Sequence, residues 1–346
     1  MAGGLEPTDL GVTLAHEHLL LDLSCLWREP ASSDRLWLVD APVAPELHLA
    51  LAADPYHCQD NLRLDDFEQA LSDLEAFRLA GGRSLVDLST RTIGPFPAGL
   101  RALAQQSGVN VIAGTGFYVR AAHPLWLADA PQERVEDEML RDLLEGFDGT
   151  GARAGVIGEL GTSSPIHPDE EKVLRAAARV QARTGVGINV HLTLFATEGE
   201  TVLRTLELAG ADLTRVALSH LDETLDHGYH RRLADQGCFL EFDTWGSECH
   251  FTDRGLREPT DRERLEALER LADAGFLGQI LLSQDVCTKM QRRANGGRGY
   301  DHLLTSIAPC LSRRGFSDAD LRVLLVDNPA RFLAGSPGSG PGREER

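Results

Sequence analysis

Eight short apolar, β-rich runs, spaced by amphipathic stretches, constrain this chain more than any other feature. The runs are Val12–His18, Ser84–Ser89, Asn110–Phe117, Gly155–Leu160, Gly187–Leu192, Val216–His220, Phe239–Asp243 and Ile280–Asp285. Between them lie segments with helical spacing of apolar residues, among them Leu64–Ala80, Glu133–Phe147, Asp169–Thr184, Glu198–Ala209, Tyr229–Gln236 and Thr260–Ala274. Glycine closes many of these segments, at Gly81, Gly108, Gly185, Gly237 and Gly275, where a left-handed C-terminal cap is favoured. Strands that alternate with helices pair in parallel through right-handed crossovers. Eight such units in 346 residues predict an α/β fold of the (β/α)8 TIM-barrel type. An open doubly wound sheet is the alternative, and the lack of a GxGxxG after an early strand weighs against it.

The polar residues of these runs carry the chemistry. His16 and His18 stand two apart in GVTLAHEHLLLDL, so on a strand both imidazoles leave the same face. The fourth run ends in Glu159, the fifth in His191, the sixth in His220 and the eighth in Asp285. In a barrel the C-terminal strand ends converge on the face that holds active sites. A lone histidine at a strand end is more often a structural residue, and a lone aspartate there often caps the next helix. Six metal-competent groups at one pole are better explained together, as the ligands of two divalent ions. Four imidazoles favour zinc, with manganese, iron, cobalt and nickel as alternatives.

Composition excludes several function classes. The formal net charge is −19, which repels phosphate backbones and anionic membranes and argues against a nucleic-acid or membrane partner. There is no signal-peptide pattern at the N-terminus and no apolar run of membrane-spanning length. The six cysteines are scattered without a CxxC, as expected of reduced thiols in a cytoplasmic protein. No linker interrupts residues 1–334, which are read as one domain, and the small, polar, proline-containing stretch 335–346 is read as a disordered tail.

The motifs TLAHEHL, LAGGRSLVDLST, VIAGTGFYV, IGELGTS, VALSHLDET, LEFDTWG, LSQDVCTK and DNPARFL, in that order, resemble the phosphotriesterase family of the amidohydrolase superfamily over nearly the whole chain. The resemblance implies a barrel with a binuclear metal centre and a homodimer. It implies that His16, His18 and Asp285 bind the more buried ion, that His191 and His220 bind the more exposed one, and that the strand-four residue bridges them. Well-studied members carry a carbamylated lysine at that position, whereas this chain has Glu159, and its two lysines, Lys172 and Lys289, lie elsewhere. A carboxylate also offers two anionic oxygens to two cations, and this variant resembles the phosphotriesterase-homology branch. Two smaller departures are Gln284 before Asp285, where relatives often have His, and Ile93–Pro97, where an Arg-Asp pair is expected.

The expected function is hydrolysis of a small molecule. Two ions would activate a bridging hydroxide for attack, with Asp285 accepting the proton and passing it to the leaving group. A lactone or carboxylic ester is the first expectation, an N-acyl amide the second, and phosphotriester hydrolysis a side activity. A barrel that binds a small molecule without turning it over is the competing class. Tyr118 is a candidate to hydrogen-bond the substrate, and Arg298, in the basic stretch with Lys289, Arg292 and Arg293, is a candidate to bind an anionic group. Both are weighed against packing and solvated-surface roles. The long excursion 22–61 is expected to cover the pocket, and His250 and His302 to reach its rim.

Overall fold

The computed structural model describes residues 5–94 and 96–334. The tail assignment for 335–346 lies outside the described residues. Eight parallel strands follow one another around a nearly closed barrel: β1 Thr13–Glu17, β2 Ser84–Asp87, β3 Asn110–Thr115, β4 Val156–Thr162, β5 Ile188–Leu192, β6 Val216–Leu218, β7 Phe239–Phe242 and β8 Ile280–Leu282. Their order in the sheet is their order in the chain, which removes the doubly wound alternative. The helices between them are α1 Phe67–Leu79, α2 Pro97–Ser107, α3 Gln132–Leu144, α4 Pro168–Thr184, α5 Gly199–Leu208, α6 His227–Ala234 and α7 Asp261–Asp273. Each of the six segments read as helical holds one of them, shifted by up to three residues. The remaining helix, α2, is marked in the sequence only by its closing Gly108.

Local sequence explains these elements. Helix α4 starts at a capping box between His167 and Glu170, with Pro168 at its first turn, and ends at Gly185, whose φ of 71° lies in the left-handed region. Its inward face, Val173, Leu174, Ala177 and Val180, is buried against the barrel. Inside the barrel, Ala15, Val86, Leu88, Val156, Ala217, Phe239 and Leu281 form the lower packing layer, and Phe332 plugs it from the C-terminal helix Asn328–Ala334. Full burial of one such phenylalanine contributes roughly 1.5–3 kcal/mol.

The seam between β8 and β1 closes through a side chain. The buried carboxylate of Glu17 accepts from the Ser283 hydroxyl at 2.7 Å and from the backbone N–H groups of Gln284 and Val286 at 2.7 and 2.8 Å. The backbone N–H of Asp285 donates to the carbonyl of His16 at 3.3 Å. Excursion 22–61 is pinned at its base by a two-stranded antiparallel pairing of Leu21–Asp22 with Arg63–Leu64. It folds over the C-terminal face and bonds the loop after β7, where His250 N donates to Ala52 O at 2.6 Å and Thr252 N to Ala53 O at 3.1 Å.

A fully buried Arg264 on α7 braces the loops after β6 and β7. It lies 3.2 Å from Asp222, 3.3 Å from Glu223, and donates to Ser247 O at 2.7 Å. Arg264→Met keeps the bulk but strands two buried carboxylates, and it is expected to lower unfolding stability by about 3–5 kcal/mol. Burial raises the proton affinity of both carboxyls even with Arg264 present. A raised folded-state pKa contributes stability that is kept toward acid and lost as pH rises. The deficit in urea midpoint should therefore be larger at pH 8 than at pH 6. A deficit independent of pH would show that the loss is one of packing alone.

Candidate metal centre

The strand ends bring His16, His18, Glu159, His191, His220 and Asp285 into one buried cluster. The two-residue spacing of His16 and His18 puts both on the barrel mouth, with ring centroids 5.4 Å apart. Two positions differ from the expected strand ends. Glu159 lies within β4, which runs on to Thr162, and His191 is followed by one more strand residue. His220 and Asp285 lie past the ends of β6 and β8, and both have positive φ, 60° and 45°. Among the described residues only four non-glycine positions do so. The left-handed backbone costs about 1–2 kcal/mol at such a residue, and here it turns the side chain back toward the barrel axis.

Glycine makes room for the acid. Gly158 has φ 130°, and a Cβ there would meet the Asn189 carbonyl oxygen at 2.4 Å. A larger residue would push β4 off β5 and move Glu159 with it.

The six groups face one another at distances suited to shared cations. Glu159 Oε1 lies 3.4 Å from His18 Nε2, and its Oε2 lies 3.6 Å from His16 Nε2 and 3.3 Å from His191 Nδ1. Asp285 Oδ1 lies 3.2 Å from His18 Nε2 and 3.8 Å from His16 Nε2. His220 Nε2 is 2.8 Å from His191 Nδ1. The remaining ring nitrogen of three histidines is engaged outward: His16 Nδ1 by Asp243 at 3.1 Å and Glu241 at 3.2 Å, His18 Nδ1 by Ser89 at 3.0 Å, and His220 Nδ1 by Asp243 at 3.0 Å. Such outer partners fix the tautomer and aim the inner nitrogen.

Three inward atoms, His16 Nε2, Glu159 Oε2 and Asp285 Oδ1, are buried without a hydrogen-bond partner. Buried polar atoms are ordinarily satisfied. Orphaned ligand atoms in one cluster, beside histidines held from behind, fit divalent cations. The electrostatics agree. Burial alone would lower the proton affinity of His16, His18 and His220, but the surrounding carboxylates raise all three, His220 to about 10. Burial raises Asp243, yet His220 and His16 bring it down to about 2. The pocket is a strongly negative field that draws positive charge. His191 differs, because burial lowers it and no outer carboxylate holds its ring.

Above the cluster lies a cavity of about 20 Å³, lined besides the site residues by Leu23, Leu26, Tyr56, Tyr118, Leu194 and Cys287. The 22–61 excursion thus supplies three walls of the cavity. Tyr118 lines this cavity, with its hydroxyl 3.4 Å from either ring nitrogen of His191. Burial raises its phenol well above the usual range, so it stays a donor.

The basic stretch behaves otherwise. Lys289 pairs with Asp60 at 2.6 Å, Arg292 is buried and donates to Leu19 O at 2.6 Å, and Arg293 pairs with Asp301 at 2.6 Å. These cations hold the loop after β8 in place. Arg298 is exposed beside Gly246 and does not line the cavity. His302 pairs with Asp261 at 2.7 Å and His250 is exposed, so neither lines the cavity. Gln284 braces the same loop through Gly299 O and Leu303 N.

Sequence reasoning missed Glu241 and Asp243. Their signal was present: two acids at period two in LEFD, on a run otherwise apolar. Ser89, Ser219 and the cap residues Leu23, Leu26 and Tyr56 carried no such signal.

The profile of the phosphotriesterase family matches residues 1–333. An N-acetyltaurine hydrolase from Salmo salar is 35% identical over 335 residues, which cover 96% of each chain. The crystal structure of a resiniferatoxin-binding protein from Rhodobacter sphaeroides superposes with a TM-score of 0.93 at 40% identity, covering 96% of this chain and 93% of that one. A mutant of a Deinococcus radiodurans PTE-like lactonase gives a TM-score of 0.76 at 28% identity, covering 96% and 98%. Among the described residues no helix is long and apolar enough to cross a membrane.

Proposed function

Because this chain belongs to the phosphotriesterase family and is a metal-dependent hydrolase, we propose that it hydrolyses a small N-acyl amide with a short acyl chain. The observation that carries this reading is the cavity of about 20 Å³ directly on the six-residue cluster, walled by leucines and tyrosines. That is room for about one water-sized group. So tight a wall beside the cluster disfavours a long acyl chain, and the rest of the substrate must leave past the 22–61 cap. The amide moves ahead of the lactone because the Salmo salar relative, at 35% identity, is named for an amide substrate. The lactone or carboxylic ester is the second reading, supported by the lactonase neighbour at 28%. The name of the Rhodobacter relative describes binding of resiniferatoxin, but the intact ligand cluster supports turnover over binding alone.

In this proposal His16, His18 and Asp285 would hold one divalent ion and His191 and His220 the other, with Glu159 within reach of both. Zinc is the ion that four imidazoles and two carboxylates favour. When bound, the ions supply acidified water and polarise the scissile carbonyl. The protein does the rest. Asp285 is the most open of the site carboxylates, with 15% of its side chain exposed. It accepts the proton of the attacking water at a carboxylate oxygen and returns it to the leaving nitrogen. Tyr118 Oη donates to the substrate oxygen that gains negative charge. Leu23, Leu26 and Leu194 exclude bulk water.

The test is an acyl series. With one amine, N-acetyltaurine first, kcat/KM should fall about tenfold or more for each of the first methylenes added to the acyl chain, as expected of a tight apolar pocket. Rates that rise with acyl length, or a simple lactone that outruns the acetyl amide, would sink the amide reading.

A further inference from the structure

Two carboxylates near the centre, Glu241 and Asp243, are not among its ligands. Glu241 lies in the middle of β7 and is fully buried. By the strand period it shares a face with Asp243. Its Oε2 accepts from Ser219 Oγ at 2.7 Å and Asn189 Nδ2 at 2.5 Å, and lies 3.2 Å from His16 Nδ1. Its Oε1 is buried without a hydrogen-bond partner. Asn189 stands two residues before His191 on β5, and Ser219 directly before His220. Three adjacent strands therefore build a polar layer between the metal cluster and the apolar plug of Ala217, Phe239 and Leu281.

A barrel needs no polar layer there. A buried carboxylate carries an effective penalty of several kcal/mol unless an opposite charge compensates it. No lysine or arginine contacts it among the described residues; His16 does. Asp243 also reaches His16 Nδ1, but it serves His220 at the same time, through both the ring nitrogen and the backbone N–H. Glu241 has His16 as its one histidine.

We propose that Glu241 is a positioning residue for the metal centre: it holds His16 by Nδ1 so that Nε2 faces the ion site, and it adds a buried negative charge beneath that ion. The inference rests on the two-ion reading above. Its action is local, since His16 belongs to only one of the two ions. Removal of the charge should weaken that ion and spare its neighbour.

The experiment is a chelator competition with Zn²⁺ alone on wild type and Glu241→Gln, together with the thermal midpoint of both metal-free proteins. Glutamine keeps the shape and an oxygen for Ser219 but carries no charge. Wild type should take up two ions. In the variant one ion should bind about 10–100-fold more weakly, the usual effect of losing an outer partner, while the other keeps its affinity. The metal-free midpoint should change little, because glutamine keeps the bulk and the oxygen to which Ser219 donates. Asn189→Ala, which frees the Nδ2 donor from Oε2 and does not contact His16, should shift the same ion in the same direction by a smaller factor, and it serves as the second variant if Glu241→Gln does not fold. Two ions at wild-type affinity in both variants overturn this inference alone. Equal weakening of both ions with a lower metal-free midpoint also overturns it, because that is a structural role. Fewer than two ions in the wild type overturns the two-ion reading and this inference with it.

Discussion

Glu159→Ala is expected to cut the metal content of the purified protein from about two ions per chain to below one, and to lower kcat/KM by a factor of about 10³ or more. The reason is electrostatic. Unit charges 4 Å apart repel by about 4 kcal/mol at an effective dielectric of 20, and two dications by about four times that. Only an anion between them makes joint occupancy favourable. Glu159 is the acid placed to do so, with Oε1 toward His18 at 3.4 Å and Oε2 toward His191 at 3.3 Å. The surrounding histidines hold its carboxyl in the ionised form against the effect of burial. Alanine removes both oxygens and leaves His16, His18 and His191 facing one another. Metal analysis of wild type and variant side by side, after reconstitution with Zn²⁺, is the check. Two ions in the alanine variant would remove Glu159 from the bridging position, and the charge balance would need another source.

Asp285→Asn should separate proton transfer from metal binding. The amide keeps an oxygen near His18 and His16 but accepts no proton. We expect kcat on the acetyl amide to fall by about 10²–10⁴, the range for loss of a general base, with KM changed far less. Metal content should decline less than in Glu159→Ala, because five of the six ligands remain ionised or neutral as before. An amide nitrogen leaves only when protonated, whereas an aryl oxide leaves unaided. The loss should therefore be smaller on a p-nitrophenyl ester than on the amide. Equal losses on both would leave Asp285 as a ligand only.

These two residues show how much of the centre the sequence carries. His16, His18, His191 and His220 are legible because imidazoles are rare at the ends of apolar runs, and period two fixes their common face. Glu159 is legible by its place in the fourth run, although the structure sets it inside β4 and leans on Gly158 for the space. Glu241 was within reach by the same rule and was passed over. The basic stretch misleads for a definite reason. Charge along the chain does not say which cations will meet an acid in the fold, and Arg292 and Lys289 both do, at buried Asp73 and half-exposed Asp60. The same holds for Arg264, whose acids sit on a different βα loop.

The sequence alone determined the strand-and-helix alternation, the chain-order barrel and the six residues that meet at its mouth, because periodicity and strand ends are local properties of the chain. The cavity and its cap are of another kind. Leu23, Leu26 and Tyr56 become walls only because the 22–61 excursion is bonded at Ala52 and Ala53 to the loop after β7, far along the chain. The outward hold on His16 needs β7 beside β6 and only one strand, β8, between β7 and β1. The left-handed turns at His220 and Asp285 that aim both side chains inward persist only because the packed barrel around them fixes the backbone. Which groups meet across strands, and how small a space they leave for substrate, is decided by tertiary contacts whose partners no local pattern names.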